Sequence, residues 1–294
     1  MKKIAIIGLG LLGASFGMSL RGAGYHRIGW ARRKEIREKA VALDVVDESV
    51  DTFEEAAAMA DITVFALPIP QIMEYLQKGV GYWRQDALVT DMGSVKDIIH
   101  RTAERVLTPA GVVFTGSHPM AGTEKSGFEN AFPTLYNNAD VFLSSGSLTK
   151  EEHLAALDEM WRRSGARQTV RVNPEEHDDL VAHTSHVLHV VASALSLTIL
   201  GDEDPVKTAL RFAGCATGFR DTSRIASSNP AMWREIIENN TEANLRALDN
   251  FEKALQKYRA MIANGDFDGF EREFAKGKNL RDSWMEYKNN DKKS

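Results

Sequence analysis

Gly8, Leu9, Gly10, Leu11, Leu12 and Gly13 lie between a short β-branched run at 3–8 and a helical pattern that reaches about residue 21. Strand, glycine turn and helix in that order constrain the chain to begin as a dinucleotide-binding βαβ unit. Each glycine has a separate physical task. Gly8 allows the sharp turn, Gly10 lets main chain approach a pyrophosphate, and Gly13 lets the helix pack on the strand, with the phosphates facing the helix N-terminus beside Leu11 and Leu12. The same apolar stretch, preceded by Lys2 and Lys3, could be mistaken for an export signal. Its four glycines and the absence of a small-residue cleavage site before Arg21 argue against that.

The alternation continues. Strands are expected at 28–31, 62–67 and 87–90, and helices at 34–43, 52–59 and after Pro70, which predicts a parallel sheet covered on both faces. Ligands in such sheets sit beyond the carboxyl ends of the strands, where Pro68, Ser94 and His118 all fall. From about residue 173 strand-like runs vanish, and 174–200, 205–216, 230–263 and 267–287 read as helices. The fold class is therefore α/β, a Rossmann-type doubly wound parallel sheet over 1–172 followed by an all-α domain over 173–294. Trp233, Ile236, Ile237, Leu245, Leu248, Phe251, Leu255 and Tyr258 recur at helical spacing, a stripe long enough to continue into a subunit interface, so a homodimer is expected.

With 43% hydrophobic residues and 26% charged ones the chain can bury a proper core. Its single cysteine, Cys215, rules out an internal disulfide and suits the cytoplasm. The net charge of −5 gives no reason to expect nucleic acid or an anionic membrane as partner. An anionic small-molecule substrate would need a local cluster of positive charge.

Where NAD-preferring chains carry an acid after the second strand, this one has Arg32 and Arg33. Either could pair with a 2′-phosphate, which favours NADP over NAD; the bland alternative is that both are solvated at a helix start. His118 is expected in a glycine-punctuated loop directly after the apolar run Val112, Val113 and Phe114, at the end of a strand, a suitable place for a proton-transfer group. Farther on, His177, His183, His186 and His189 fall within thirteen positions of a predicted helix. No metal site is expected from them: no cysteine lies nearby, the usual i, i+4 ligand pair is missing, and nicotinamide chemistry needs no metal. They read as a polar lining for a substrate pocket, with one or two of them merely satisfied in the core. Arg220 and Arg224 supply the positive charge that composition lacks; Arg224 and Asp221 could simply pair on a surface turn, whereas beside the histidine helix Arg224 would be a carboxylate clamp.

Taken together, the glycine turn, the run Asp91, Met92, Gly93, Ser94, Val95, Lys96, the run from Gly116 through His118 to Glu124, the pair His177 and Asp178 with Ser185, His186 and His189, and the run from Gly218 to Ala226 resemble the prephenate/arogenate dehydrogenases of tyrosine biosynthesis over essentially the whole chain. The resemblance implies that His118 is the base that takes the substrate's ring-hydroxyl proton and that Ser94 bonds that hydroxyl and helps orient His118 and the nicotinamide. It implies pocket roles for His186 and His189, side-chain carboxylate binding by Arg224, gate or wall roles for Glu124 and Trp233, and a dimer through the helical half. The reaction implied is NAD(P)-dependent oxidative decarboxylation of prephenate to 4-hydroxyphenylpyruvate, with arogenate to tyrosine as the alternative. Asp140 is a candidate for telling the two substrates apart. A β-hydroxyacid dehydrogenase would need a catalytic lysine early in the helical half, where Lys207 stands alone between 173 and 250. A non-catalytic NADP sensor would have no use for a base at His118.

Overall fold

The structure, a computed structural model, describes residues 1–123 and 125–290. β1 (Lys2–Ile7) runs into Gly8 at φ +102°, and α1 (Leu11–Ser19) starts three residues later. A Cβ on Gly13 would collide with the Gly8 carbonyl oxygen, so strand and helix meet only because both positions are glycine. Nothing stands within 4 Å of where a Gly10 Cβ would be, which leaves that backbone open to a ligand. The run that resembled an export signal is core: Ile4, Ile6, Phe16 and Leu20 are fully buried.

The alternation then proceeds through β2 (Tyr25–Trp30), α2 (Lys34–Ala42), β3 (Glu48–Ser49), α3 (Phe53–Met59), β4 (Ile62–Phe65), α4 (Ile69–Lys78), β5 (Leu88–Asp91), α5 (Asp97–Val106) and β6 (Val113–Pro119). Thr52 starts α3 with a reciprocal capping box to Glu55. β7 (Asp140–Ser145), α6 (Glu151–Arg163) and β8 (Gln168–Arg171) complete an eight-stranded sheet in the order β3-β2-β1-β4-β5-β6-β7-β8. Neighbouring strands are parallel except β6 and β7, which pair antiparallel with His118 opposite Phe142. Successive β1 residues face opposite sides of the sheet, and from Ile4 onward both sides are covered, Ile4 and Ile6 in one cluster with Phe16, Tyr136 and Trp161, and Ala5 and Ile7 in the other with Phe53, Phe65 and Ile72.

The helical half comprises α7 (Pro174–Val181), a π-helical turn at Ala182–His186, α8 (Val187–Leu200), α9 (Pro205–Gly214), α10 (Thr217–Ser223), α11 (Pro230–Glu238), α12 (Thr241–Asn264) and α13 (Phe267–Asn290). The helix expected over 230–263 is broken at Asn239 and Asn240. Asn240 is buried, and its side-chain amide donates to Asp178 O (2.8 Å), so the break places a polar group inside. Compactness divides the chain into two units within α12, the second beginning at Leu245. In that second unit Tyr258 meets Phe270 edge-on while Leu255, Phe274, Leu280 and Trp284 are exposed. In the first, Leu197, Leu210 and Phe212 are likewise uncovered. Pro174–Leu200 is long and apolar enough to cross a bilayer by length and composition; its first turns carry buried His177 and Asp178 packed against α5 and β7.

Gly13→Ala should lower stability by about 1–3 kcal/mol through overpacking. A guanidinium unfolding curve reads this directly, and an unchanged midpoint would show that strand and helix can separate without cost.

Candidate active site

His118 is not in a loop, as its glycine-rich neighbourhood suggested. It is the penultimate residue of β6, held by pairing with β7. Behind it lies α7, begun by Asn173, whose side chain accepts from Glu176 N (2.7 Å), with Pro174 in the first turn. That start seats His177 over Phe142, ring centroids 5.9 Å apart, and beside His118, whose Nδ1 is 2.8 Å from His177 Nε2. His177 Nδ1 in turn is 2.8 Å from Asp178 Oδ1. The Asp178 carboxylate also accepts from Lys96 N (2.6 Å) and Asp97 N (2.9 Å), the first amides of α5. His177 was grouped from sequence with the pocket-lining histidines, whereas it is fully buried behind His118, and Asp178 was given no role of its own; the adjacent Asn173-Pro174 helix start was the available signal.

Beneath His118 the Lys96 ammonium and Asp91 carboxylate form a fully buried ion pair, and Asp91 also accepts from Gly93 N (2.8 Å) and Ser117 N (3.2 Å). Deeper still, His100 Nε2 bonds Ser144 Oγ (2.7 Å). Burial holds His118 well below the ordinary histidine range, reinforced by His177, Lys96 and His186. Burial likewise lowers His177 and His100 to about 3 and His186 to about 4. Burial pushes the Asp178 carboxyl up, opposed by the amides of Asp97 and Lys96 and by the Lys96 charge. The site thus presents an uncharged imidazole, the state a general base requires.

The π-helical turn sorts the remaining histidines. His186 is buried and edge-on to Trp233 at 5.7 Å, whereas His189 stacks on Trp233 at 3.8 Å and bonds Ser185 O through Nδ1 (3.0 Å). His183, which helical spacing grouped with them, is exposed and bonds Asp179 O (2.9 Å). His189, Trp233, Ser193, Ile225 and Arg234 border a cavity of about 530 Å³. Burial lowers the His189 pKa, and the charge of exposed Arg224, just before Ile225, adds to that lowering. Glu124 lies outside the described residues. Among the described residues no group of three or more His, Cys, Asp or Glu side chains is arranged to hold a metal.

On the nucleotide side Arg32 and Arg33 are solvent-exposed just beyond β2, and Pro68 is exposed at the start of α4. Ser94 is partly buried in the turn from β5 to α5, on the same carboxyl-end edge of the sheet as His118. Asp140 does not remain an unoccupied acid. Its carboxylate is gripped by Arg167 (2.6 and 2.8 Å from Nη2, 2.9 Å from Nε) and reached by Gln168.

Residues 16–170 match the family model described as prephenate dehydrogenase, nucleotide-binding domain, and residues 173–276 that described as prephenate dehydrogenase, dimerization domain. The chain belongs to the prephenate dehydrogenase family. It is 33% identical over 285 residues to the prephenate dehydrogenase of Bacillus subtilis, covering 95% of this chain and 75% of that protein. Among solved structures, the arogenate dehydrogenase of Synechocystis is similar at 32% identity and a TM-score of 0.84, covering 96% of this chain and 99% of that one. The prephenate dehydrogenase of Aquifex aeolicus, in complex with hydroxyphenyl propionate and NAD+, is similar at 32% identity and a TM-score of 0.85, covering 98% of each chain. As a member of the family the chain is an NAD(P)-dependent oxidoreductase with a dimerisation domain, and its glycine turn, open at Gly10, suits the nucleotide.

Unfolded imidazoles titrate near 6.5, whereas the folded protein holds His100 and His177 uncharged to about 3 and His186 to about 4. Below pH 6.5 the unfolded chain therefore binds more protons, so the stability present above that pH drains as pH falls toward 4. Thermal melts from pH 7.5 to 4 should show Tm dropping steadily below 6.5. A flat profile to pH 4.5 would mean that these rings are not buried in neutral form.

Proposed function

We propose that this chain converts prephenate to 4-hydroxyphenylpyruvate with NADP, as a cytoplasmic homodimer in tyrosine biosynthesis. In this reading 1–172 hold the nucleotide and 173–294 shape the substrate pocket and the dimer contact. The observation that carries it is the neutral His118 imidazole at the carboxyl edge of a parallel sheet whose first turn is built for a dinucleotide.

His118 takes the proton of the ring hydroxyl as hydride leaves the same carbon, giving a dienone. The bond to the ring carboxylate then breaks, carbon dioxide departs, and its electron pair restores the aromatic ring as a phenolate, which takes a proton to give the phenol. When bound, the nicotinamide supplies the hydride acceptor. Gly8, Gly10, Leu11, Leu12, Gly13 and Pro68 are the residues to hold that nucleotide, and Ser94 to hold the hydroxyl in line with His118. Arg224 receives the side-chain carboxylate, His186 and His189 face the ring, and Trp233 forms the wall, with Glu124 assigned the gate by family pattern. A substrate carboxylate brought beside His118 favours the imidazolium that proton transfer creates, offsetting the low basicity of a buried ring.

Two observations support the finer assignments. Arg32 and Arg33 are exposed where a 2′-phosphate would lie, with no acid between them and β2. Asp140, an acid that could attract the amino group of arogenate, is neutralised by Arg167, which leaves the keto acid favoured.

His118→Asn should lower kcat roughly a hundred- to ten-thousand-fold without unfolding the protein. Because His118 sits below the usual histidine range, kcat/KM for the native enzyme should stay level from pH 8 through the mildly acidic range and fall only beyond it. Near-full turnover by His118→Asn would sink the assignment. Replacing Arg32 and Arg33 together by alanine should raise KM for NADP about tenfold or more while leaving KM for NAD nearly unchanged. Following reduced-cofactor formation with prephenate and arogenate, each with NADP and NAD, tests substrate and cofactor; no turnover in any pairing would favour a sensor.

A further inference from the structure

If His118 is the base, one of its nitrogens must be bare, and the residues behind it decide which. The Asp178 oxygens accept from the Lys96 and Asp97 amides at the start of α5, 2.6 and 2.9 Å away, an arrangement that favours the ionised carboxylate. An ionised carboxylate only accepts, so His177 Nδ1, 2.8 Å from Oδ1, carries the hydrogen. His177 Nε2 then holds a lone pair. It lies 2.8 Å from His118 Nδ1, which must donate to it. His118 Nε2 is left without hydrogen. Imidazole in water prefers the opposite arrangement, with its hydrogen on Nε2, so the buried chain of bonds imposes the form that leaves Nε2 basic.

We propose that Asp178 and His177 are a positioning pair for the reaction, holding His118 with hydrogen on Nδ1 so that Nε2 takes the substrate proton. This rests on the reading of His118 as the base. When Nε2 accepts the hydroxyl proton, His118 becomes imidazolium while its Nδ1–H stays bonded to His177, whose own Nδ1–H remains on Asp178. No proton need pass along the chain. The accepting His177 Nε2 and, behind it, the buried Asp178 carboxylate stabilise the cation. The ring of His177 is fully buried, so it is a support for His118 and not a contact for substrate.

The pair is tested first in the unaltered protein. Nitrogen-15 spectra of enzyme labelled at histidine should show His118 protonated at Nδ1 and bare at Nε2 at neutral pH; the reverse assignment overturns the proposal. His177→Leu, which removes the acceptor, should lower kcat about a hundredfold with KM for substrate and cofactor changed less than about threefold. His177→Gln, whose amide oxygen can reach the His118 Nδ1–H, should restore about tenfold of that loss. Equal losses in the two folded variants, or kcat within about threefold of the parent in both, would overturn it. If His177→Leu does not fold, the spectra and the glutamine variant decide. His118→Asn runs alongside: its collapse with an unaffected His177→Leu refutes the positioning pair alone, whereas its survival refutes the base.

Discussion

A single buried carboxylate, Asp178, ties the sheet to the helices that follow it. It accepts from two main-chain amides at the start of α5 and from the ring of His177 on α7, so one side chain closes the open end of one helix and fixes the entry of another. α5 has no side-chain cap of its own; the acceptor comes from more than eighty positions farther along the chain. Asn240, through the Asp178 carbonyl, adds the turn between α11 and α12 to the same junction. Without it, His177 would have no fixed place over β7 and His118 no defined neighbour.

The electrostatics around that junction keep the buried imidazoles neutral. Lys96 and Asp91 cancel one another beneath the strand, and the histidines above them are lowered chiefly by burial. The exposed cationic side chains lie elsewhere, Arg224 in the helical half and Arg32 and Arg33 beyond β2. In the proposed reading such a division suits an anionic substrate and an anionic cofactor, whose charges would be met away from His118.

Much of the frame was legible because local rules suffice for it. The Gly8 to Gly13 spacing, the buried runs of β1 and β4, and the Pro-led helices at 174 and 230 follow from steric and capping preferences a few residues long. β7 and β8 were not, since an antiparallel partner for β6 depends on pairing across a stretch without periodicity. Helical spacing grouped His183 with His186 and His189, but the π-helical turn inserts a different pitch there and turns His183 to solvent. The glycines around His118 suggested a loop because backbone permissiveness reads alike in a loop and in a strand where neighbours crowd close. A Cβ on Gly116 would meet Ser144 Oγ at 2.6 Å and His100 Nε2 at 2.8 Å.

By itself, then, the amino-acid order determined the dinucleotide turn, the two-part layout and the family, because each is written in contiguous residues whose conformational limits are local. Tertiary structure alone decided which histidine stands behind His118, that Asp140 is claimed by Arg167, and where the long helical stretch breaks. Those outcomes depend on which donors and acceptors meet once apolar surfaces are buried, and polar groups shut away from water must find partners wherever the chain brings them.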